Sequence, residues 1–204
     1  MPPRAGPFGG HMKLLWLDVE TTGLDPNKDA LLELAFAETS LDNPFNVGTV
    51  HDAVLKFTDD PATLSPFILD MHTKNGLLAA CARSAITFPD LEEWLLAVVP
   101  EMADKEERTV LAGSSVHFDH SFLRVHLPRL AARLSHRHYD VSAVKLFCQS
   151  MGMPKPPKAE AHRAAADVRE SIEHAKLCAE WLSRMPRRLE GESSLAVAAY
   201  AIDR

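Results

Sequence analysis

The stretch Leu14-Leu15-Trp16-Leu17-Asp18-Val19-Glu20-Thr21-Thr22-Gly23-Leu24 constrains this chain most, because it is an apolar run that ends in two carboxylates and a turn. Read as a strand, it alternates its side chains with a period of two, so Asp18 and Glu20 share one face and Leu17 and Val19 the other. Two anions held that close repel, and a fold keeps such a pair when a proton or a cation neutralises it. Oxygen ligands favour magnesium or manganese. Taken alone, the stretch also fits a solvated strand end carrying two surface acids, and the rest of the chain has to decide between the two.

With 204 residues, 46% of them apolar and 25% charged, the chain is long enough to bury one sizeable core, so a single globular domain is expected. Cys81, Cys148 and Cys178 lie far apart without CxxC spacing, which suggests neither a zinc site nor a disulfide framework and fits a reducing cytoplasm. No apolar run approaches the roughly 20 residues that cross a bilayer, and the N-terminus lacks an apolar signal-peptide core. A soluble cytoplasmic protein with no membrane partner is the expectation. The net charge of −6 argues against the broad basic surface that grips long nucleic acids by counterion release. An acidic protein still binds a phosphodiester locally when bound cations and a few basic or hydroxyl side chains supply the positive potential.

Met1 to His11, rich in Pro and Gly, reads as a disordered tail or a cloning remnant. After the first strand, Gly23 and Asp25-Pro26-Asn27 make a turn, Leu31 to Thr39 a second strand and Val47 to Phe57 a third, an antiparallel meander that opens a mixed sheet. Helical spacing begins at Leu64, runs through Phe67 to His72 and recurs from Gly76 to Ala82. Thr87 caps a longer helix with Pro89 in its first turn and Leu91, Trp94, Leu95 and Val98 on its apolar face. Arg108 to Ala112 is a short strand leading into Gly113-Ser114-Ser115, and a helix beginning near Asp119 carries Phe122, Leu123 and Leu127. Asp119 thus lies near a strand-to-helix junction, where binding groups collect in such sheets. Asp140-Val141-Ser142 precedes a helix from Ala143 to Met151, which Gly152 and the run Pro154 to Pro157 end. The last strong helix spans about Ala164 to Arg184, with Val168, Ile172, Ala175 and Leu182 inward, Asp167 in its first turn and His162 in the loop before it. Residues 185–204 read as a tail or weak helix, which leaves 12–184 as the domain. Trp94, Phe122 and Phe147 are expected in the core, and His117, His120, His126 and His138 at the surface or core edge rather than in a zinc site.

Asp18 and Glu20 on a strand end, Asp119 at a later junction, and His162 with Asp167 five residues on make four carboxylates and one imidazole. Two-metal phosphoryl hydrolysis needs such a set: acids to hold two ions roughly 3.5–4 Å apart and a base to deprotonate the attacking water. The segments WLDVETTGL, SSVHFDHSFL and HRAAADVRESI resemble the three exonuclease motifs of the DEDDh superfamily. Within it, HRHYDVS and MHTKNGL resemble the oligoribonuclease family, 3′-to-5′ exonucleases that finish RNA decay on very short oligoribonucleotides. The similarity runs from about Leu14 to Leu182.

The resemblance implies a single α/β domain with a ribonuclease H-like mixed sheet flanked by helices, two Mg²⁺ or Mn²⁺ ions per active site, short single-stranded RNA as substrate and a homodimer. Asp18 would bridge both ions, Glu20 and Asp167 would hold the one that activates water, Asp119 would hold the second, and His162 would be the general base. Leu24 matches the leucine that wedges between two bases. Ser115, Arg137 and Ser142, with His72, match the groups around the 5′ phosphate of a dinucleotide, an arrangement that makes that phosphate part of recognition and penalises longer chains. Phe67 stands where the family has a base-stacking tryptophan, and His136 where it has a tyrosine reaching across the dimer. Phe67 keeps a π-face, and His136 can donate to phosphate in a pH-dependent way. A dinucleotide preference milder than in typical members is therefore expected. The alternatives are a DEDDh exonuclease acting on DNA or longer RNA ends, and a non-catalytic module that binds nucleic-acid ends, for which a retained base has no use.

Overall fold

The computed structural model describes residues 12–157 and 162–184, so the expected tails at 1–11 and 185–204 lie outside the described residues. At its centre runs β1 (Lys13–Thr21), covered on both faces along nearly its whole length. Its neighbours are β2 (Leu31–Ser40), β3 (His51–Val54), β4 (Val110–Gly113) and β5 (His138–Asp140), in the sheet order β3-β2-β1-β4-β5. The β1–β2 and β2–β3 pairs are antiparallel, whereas β1–β4 and β4–β5 are parallel. The helices are α1 (Pro66–Lys74), α2 (Leu77–Arg83), α3 (Phe88–Val98), α4 (Val116–His126), α5 (Pro128–Arg133), α6 (Val141–Ser150) and α7 (Ala164–Ser183). This mixed sheet flanked by helices is the ribonuclease H-like fold.

Alternation along β1 assigns each face its own layer. Leu15, Leu17 and Val19 pack with Leu91 and Leu95 of α3, Phe122 and Leu123 of α4 and Leu130 of α5. On the opposite face, Leu14 and Trp16 meet Val168, Ile172 and Ala175 of α7 beside Ala35, Ala37 and Ala112, small residues that let the long helix lie close to the sheet. Asp18 and Glu20 continue the second face. The strand therefore aims them at the beginning of α7.

Local signals are realised where they are strong. Thr87 and Asp90 form a capping box at α3, each side chain accepting from the other's backbone N–H. Other elements differ from expectation. The third strand is only His51–Val54, because pairing with β2 ends there. Helix α4 starts at Val116 rather than near Asp119, and α6 at Val141 rather than Ala143. Strand β5 and helix α5 have no counterpart in the sequence reading. A three-residue edge strand is too short to carry a pattern, and α5 follows α4 through Pro128 with one apolar stripe shared between them.

Phe147 is 56% exposed rather than in the core, since α6 packs through Val144 and Cys148 and leaves that position outward. Trp94 is 37% exposed, with its ring packed in edge contact with Phe36 and His51, and Leu182 is 37% exposed in the last turn of α7. His126 stacks on Phe88 and Phe122, and His120 meets His138 edge to face. None of the four histidines joins a metal-ligating group among the described residues.

Candidate active site

The pairing register of β1 with β2 shifts between Glu20 and Thr21, an irregularity of the kind that ends a ladder and re-aims side chains beside a site. Asp18 and Glu20 leave the sheet just before it, and Asp167 arrives from the first turn of α7, where the helix dipole favours an anion. One oxygen from each of Asp18, Glu20 and Asp167 lies within 4.8 Å of the others. Asp119 comes from the first turn of α4 and accepts the Val19 N–H at 3.1 Å. That amide lies beyond the last β1–β4 pair, Trp16 with Ala112, so the carboxylate takes over where the ladder stops. The close approach depends on Gly113, whose Cβ would sit 2.7 Å from the Leu17 carbonyl oxygen. A cavity of about 550 Å³ is lined by Asp18, Glu20, Asp119, His162 and Asp167, together with Ser115 and Ser142. All five proposed catalytic residues thus face one space.

The acids raise one another's proton affinity. Burial, reinforced by the charges of Asp119, Asp167, Glu20 and Glu33, holds the Asp18 carboxyl well above the usual carboxylate range. Burial and then the Asp167 charge push Glu20 from 4.5 up to about 8, with a Glu20–Asp167 hydrogen bond that needs a shared proton. Asp119 is pushed up to about 8 by burial, against the opposing pull of the Val19 amide. A cluster that costly in its ionised form fits a hard divalent cation, since all its donors are carboxylate oxygens.

A carboxyl whose folded-state value is raised contributes stability that is full below its unfolded value, here 4.5 for Glu20, and lost as pH rises through about 8. In excess chelator the melting temperature is expected to fall across that window. Divalent cation at about 100 Kd should return about 2.7 kcal/mol, or about 5–10 °C for a chain of this size, and the cation concentration that does so at pH 8 should return less at pH 5, where protons compete for the carboxylates. Calorimetry at the two pH values, with and without Mn²⁺, checks it.

The remaining expected site residues divide. The Ser115 and Ser142 hydroxyls are 3.2 Å apart, brought together by Asp140, whose carboxylate accepts from both backbone amides. Leu24 and Phe67, 82% and 71% exposed, line a neighbouring cleft of about 540 Å³ reached from the end of β1. Arg137 is not in the cavity. Its guanidinium pairs with Glu106 at 2.5 Å. His136 faces a separate cleft lined by Lys105, Arg108 and Arg124. His72 is fully buried, its Nε2 3.1 Å from the Thr21 carbonyl oxygen, so its ring supports the end of β1, and it is not among the residues that line the cavity with Ser115 and Ser142. The cations that do line the acidic cavity are Lys145 and Lys155, and Lys145 Nζ lies 3.3 Å from His174 Nδ1. Their only sequence signal is the helical spacing of Lys145 from Ser142, which puts both on one side of α6. Glu33, Asn75 and Arg163, which surround His162, also escaped the sequence reading, although Asn75 and Arg163 sit inside the quoted motifs.

A ribonuclease H-like sheet with clustered carboxylates at the end of its central strand defines a nuclease of the exonuclease class, and the exonuclease family profile matches residues 15–175. The oligoribonuclease of Corynebacterium efficiens is 37% identical over 166 residues, covering 78% of this chain and 74% of that protein. That of Corynebacterium diphtheriae is 33% identical over 91% of each chain. The probable oligoribonuclease of Schizosaccharomyces pombe is 35% identical over 78% of this chain and 64% of its own. The chain belongs to the oligoribonuclease family of exonucleases. Among solved structures, the zinc-bound form of the Escherichia coli ExoI–ssDNA complex superposes with a TM-score of 0.62 at 19% identity, over 86% of this chain and 42% of that one. Exonuclease I from Methylocaldum szegediense gives 0.62 at 21% identity, over 86% and 41%. At this identity the likeness concerns the fold, and this chain spans less than half the length of either.

Proposed function

We propose that this chain is a metal-dependent 3′-to-5′ exoribonuclease that releases nucleoside 5′-monophosphates from short single-stranded RNA. The observation that carries this reading is the convergence of the Asp18, Glu20 and Asp167 oxygens within 4.8 Å of one another, in a cavity that His162 also lines. Magnesium or manganese ions, one held by Asp18, Glu20 and Asp167 and a second by Asp18 and Asp119, would polarise the scissile phosphate and lower the pKa of the attacking water. His162 takes the proton from that water. Attack at phosphorus breaks the bond to the 3′ oxygen, which leaves with a proton, and the phosphate stays on the released nucleotide. The Ser115 and Ser142 hydroxyls donate to phosphate oxygens on the 5′ side, and Leu24 and Phe67 hold the bases. Lys145 and Lys155 add positive potential to the cavity.

We further read the enzyme as a homodimer with His136 near the partner's active site, working in a reducing cytoplasm. His136 is exposed, and Cys148 and Cys178 are buried together in a small apolar cluster with Met153. No described helix is long and apolar enough to cross a membrane.

Length selectivity is tested by digesting a 5′-labelled series from dinucleotide upward, RNA and DNA in parallel. For Arg137 to reach a 5′ phosphate it must leave Glu106, and a pair this exposed is worth only about 0–1 kcal/mol. A charge-assisted bond to phosphate is worth about 1.5–3 kcal/mol, so the exchange is favourable. Arg137→Ala is expected to slow dinucleotide cleavage by about one to two orders of magnitude and longer RNA less. Equal rates on short and long RNA, both indifferent to Arg137→Ala, would favour the broad-range nuclease.

A further inference from the structure

We infer that Asn75 is a positioning residue for His162 and that, through His72, it ties the loop carrying this base to the end of the carboxylate-bearing strand. The inference rests on the reading of His162 as general base. His162 has φ +44, a left-handed conformation that is unfavourable for a non-glycine residue and persists where the surroundings impose it. Two sets of bonds impose it here. On one side, Asn75 Nδ2 donates to the His162 carbonyl oxygen at 2.5 Å. On the other, the Glu33 carboxylate receives Arg163 Nε at 3.0 Å, Arg163 Nη2 at 2.7 Å and the Ala164 N–H at 3.0 Å. Both sets hold the chain just after the His162 Cα, at its carbonyl and at Arg163 and Ala164, and His162 lines the cavity with Asp18, Glu20 and Asp167.

Asn75 is itself fixed at both ends of its amide. Its Oδ1 accepts the Leu77 N–H at 3.0 Å, which assigns the nitrogen to the His162 side. His72 is fully buried, with Nε2 3.1 Å from the Thr21 carbonyl oxygen and Nδ1 3.5 Å from Asn75 Nδ2. A carbonyl only accepts, so Nε2 carries the hydrogen and Nδ1 faces Asn75 as an acceptor. A line of polar contacts thus runs from Thr21, the residue after the metal-facing Glu20, through His72 and Asn75 to His162. Glu33 stands opposite Glu20 in the β1–β2 register, so both supports of the base are referred to the strands that carry the acids. This accounts for a buried histidine and a buried glutamate that the chemistry does not otherwise use. Misplacing a reacting group by about 1 Å costs about a hundredfold in rate, which makes such bracing consequential.

Glu33→Ala is a poor probe, because it strips partners from Arg163 and the start of α7 together. Asn75→Asp is better: it keeps the acceptor for Leu77 while replacing the nitrogen that faces the His162 carbonyl and His72 Nδ1 with an oxygen that cannot donate. The experiment is a double-mutant cycle of Asn75→Asp and His162→Ala, with Asn75→Ala as a second variant, read by single-turnover cleavage of dinucleotide RNA, KM and Mn²⁺ affinity in the full chain. Each Asn75 variant is expected to lower the rate about 10–100-fold, to leave KM and Mn²⁺ affinity within about twofold, and to add no more than about twofold to the loss in the His162→Ala background. The same loss in both backgrounds overturns the positioning role and leaves His162 as the base. A full rate in His162→Ala itself overturns the base assignment, and the inference with it.

Discussion

Asp18→Ala is expected to reduce turnover to background, a fall of more than about 10³-fold, while leaving the fold intact or more stable. Among the four acids, Asp18 is the one on which the charges of the other three converge, since Asp119, Asp167 and Glu20 all raise its proton affinity. In the proposed mechanism removing it takes away the shared ligand, and loss of cation stabilisation worth about 4 kcal/mol corresponds to that fall. The same substitution relieves desolvation and repulsion in the metal-free protein, which is the usual direction of a stability–activity trade-off. The melting temperature in chelator should therefore match or exceed that of the wild type, and the rise on adding Mn²⁺ should be much smaller. Isothermal titration with Mn²⁺ and single-turnover cleavage of dinucleotide RNA provide the readouts. Wild-type rates in Asp18→Ala, or in excess chelator, would sink the proposed mechanism.

His162→Ala is expected to lower the single-turnover rate by about 10²–10⁴-fold, the usual contribution of a general base, with dinucleotide binding largely retained. His162 lines the carboxylate cavity with the chain just after it held by Asn75 and Glu33, and in the proposed mechanism its loss removes proton transfer without removing a metal ligand. Mn²⁺ affinity should accordingly stay close to wild type, which separates this variant from Asp18→Ala. Added imidazole should recover part of the rate. An unchanged single-turnover rate would exclude the role.

Adjacent residues and simple periods determined much of this protein. A period of two along Leu14 to Glu20 sufficed to place Asp18 and Glu20 on one face, and the antiparallel start of the sheet lay in turn-bounded runs. Thr87 and Asp90 announced the start of α3, and helical spacing put Asp167 in the first turn of α7. These features were legible because the interactions behind them act within a few residues, or because one buried face enforces one period. The order of the acids and His162 was legible through its resemblance to the motifs of a known family. Other features depended on segments that meet only after folding. Asp119 completes the site through an amide 100 positions away, and Asn75 reaches the His162 carbonyl across 87. His72 is drawn under the end of β1, and Arg137 finds Glu106 instead of the cavity, where Lys145 lies. A polar side chain with several possible partners carries no local sign of which it will meet. That choice follows from which backbone groups are left unpaired when the layers pack, and only the tertiary structure decides it.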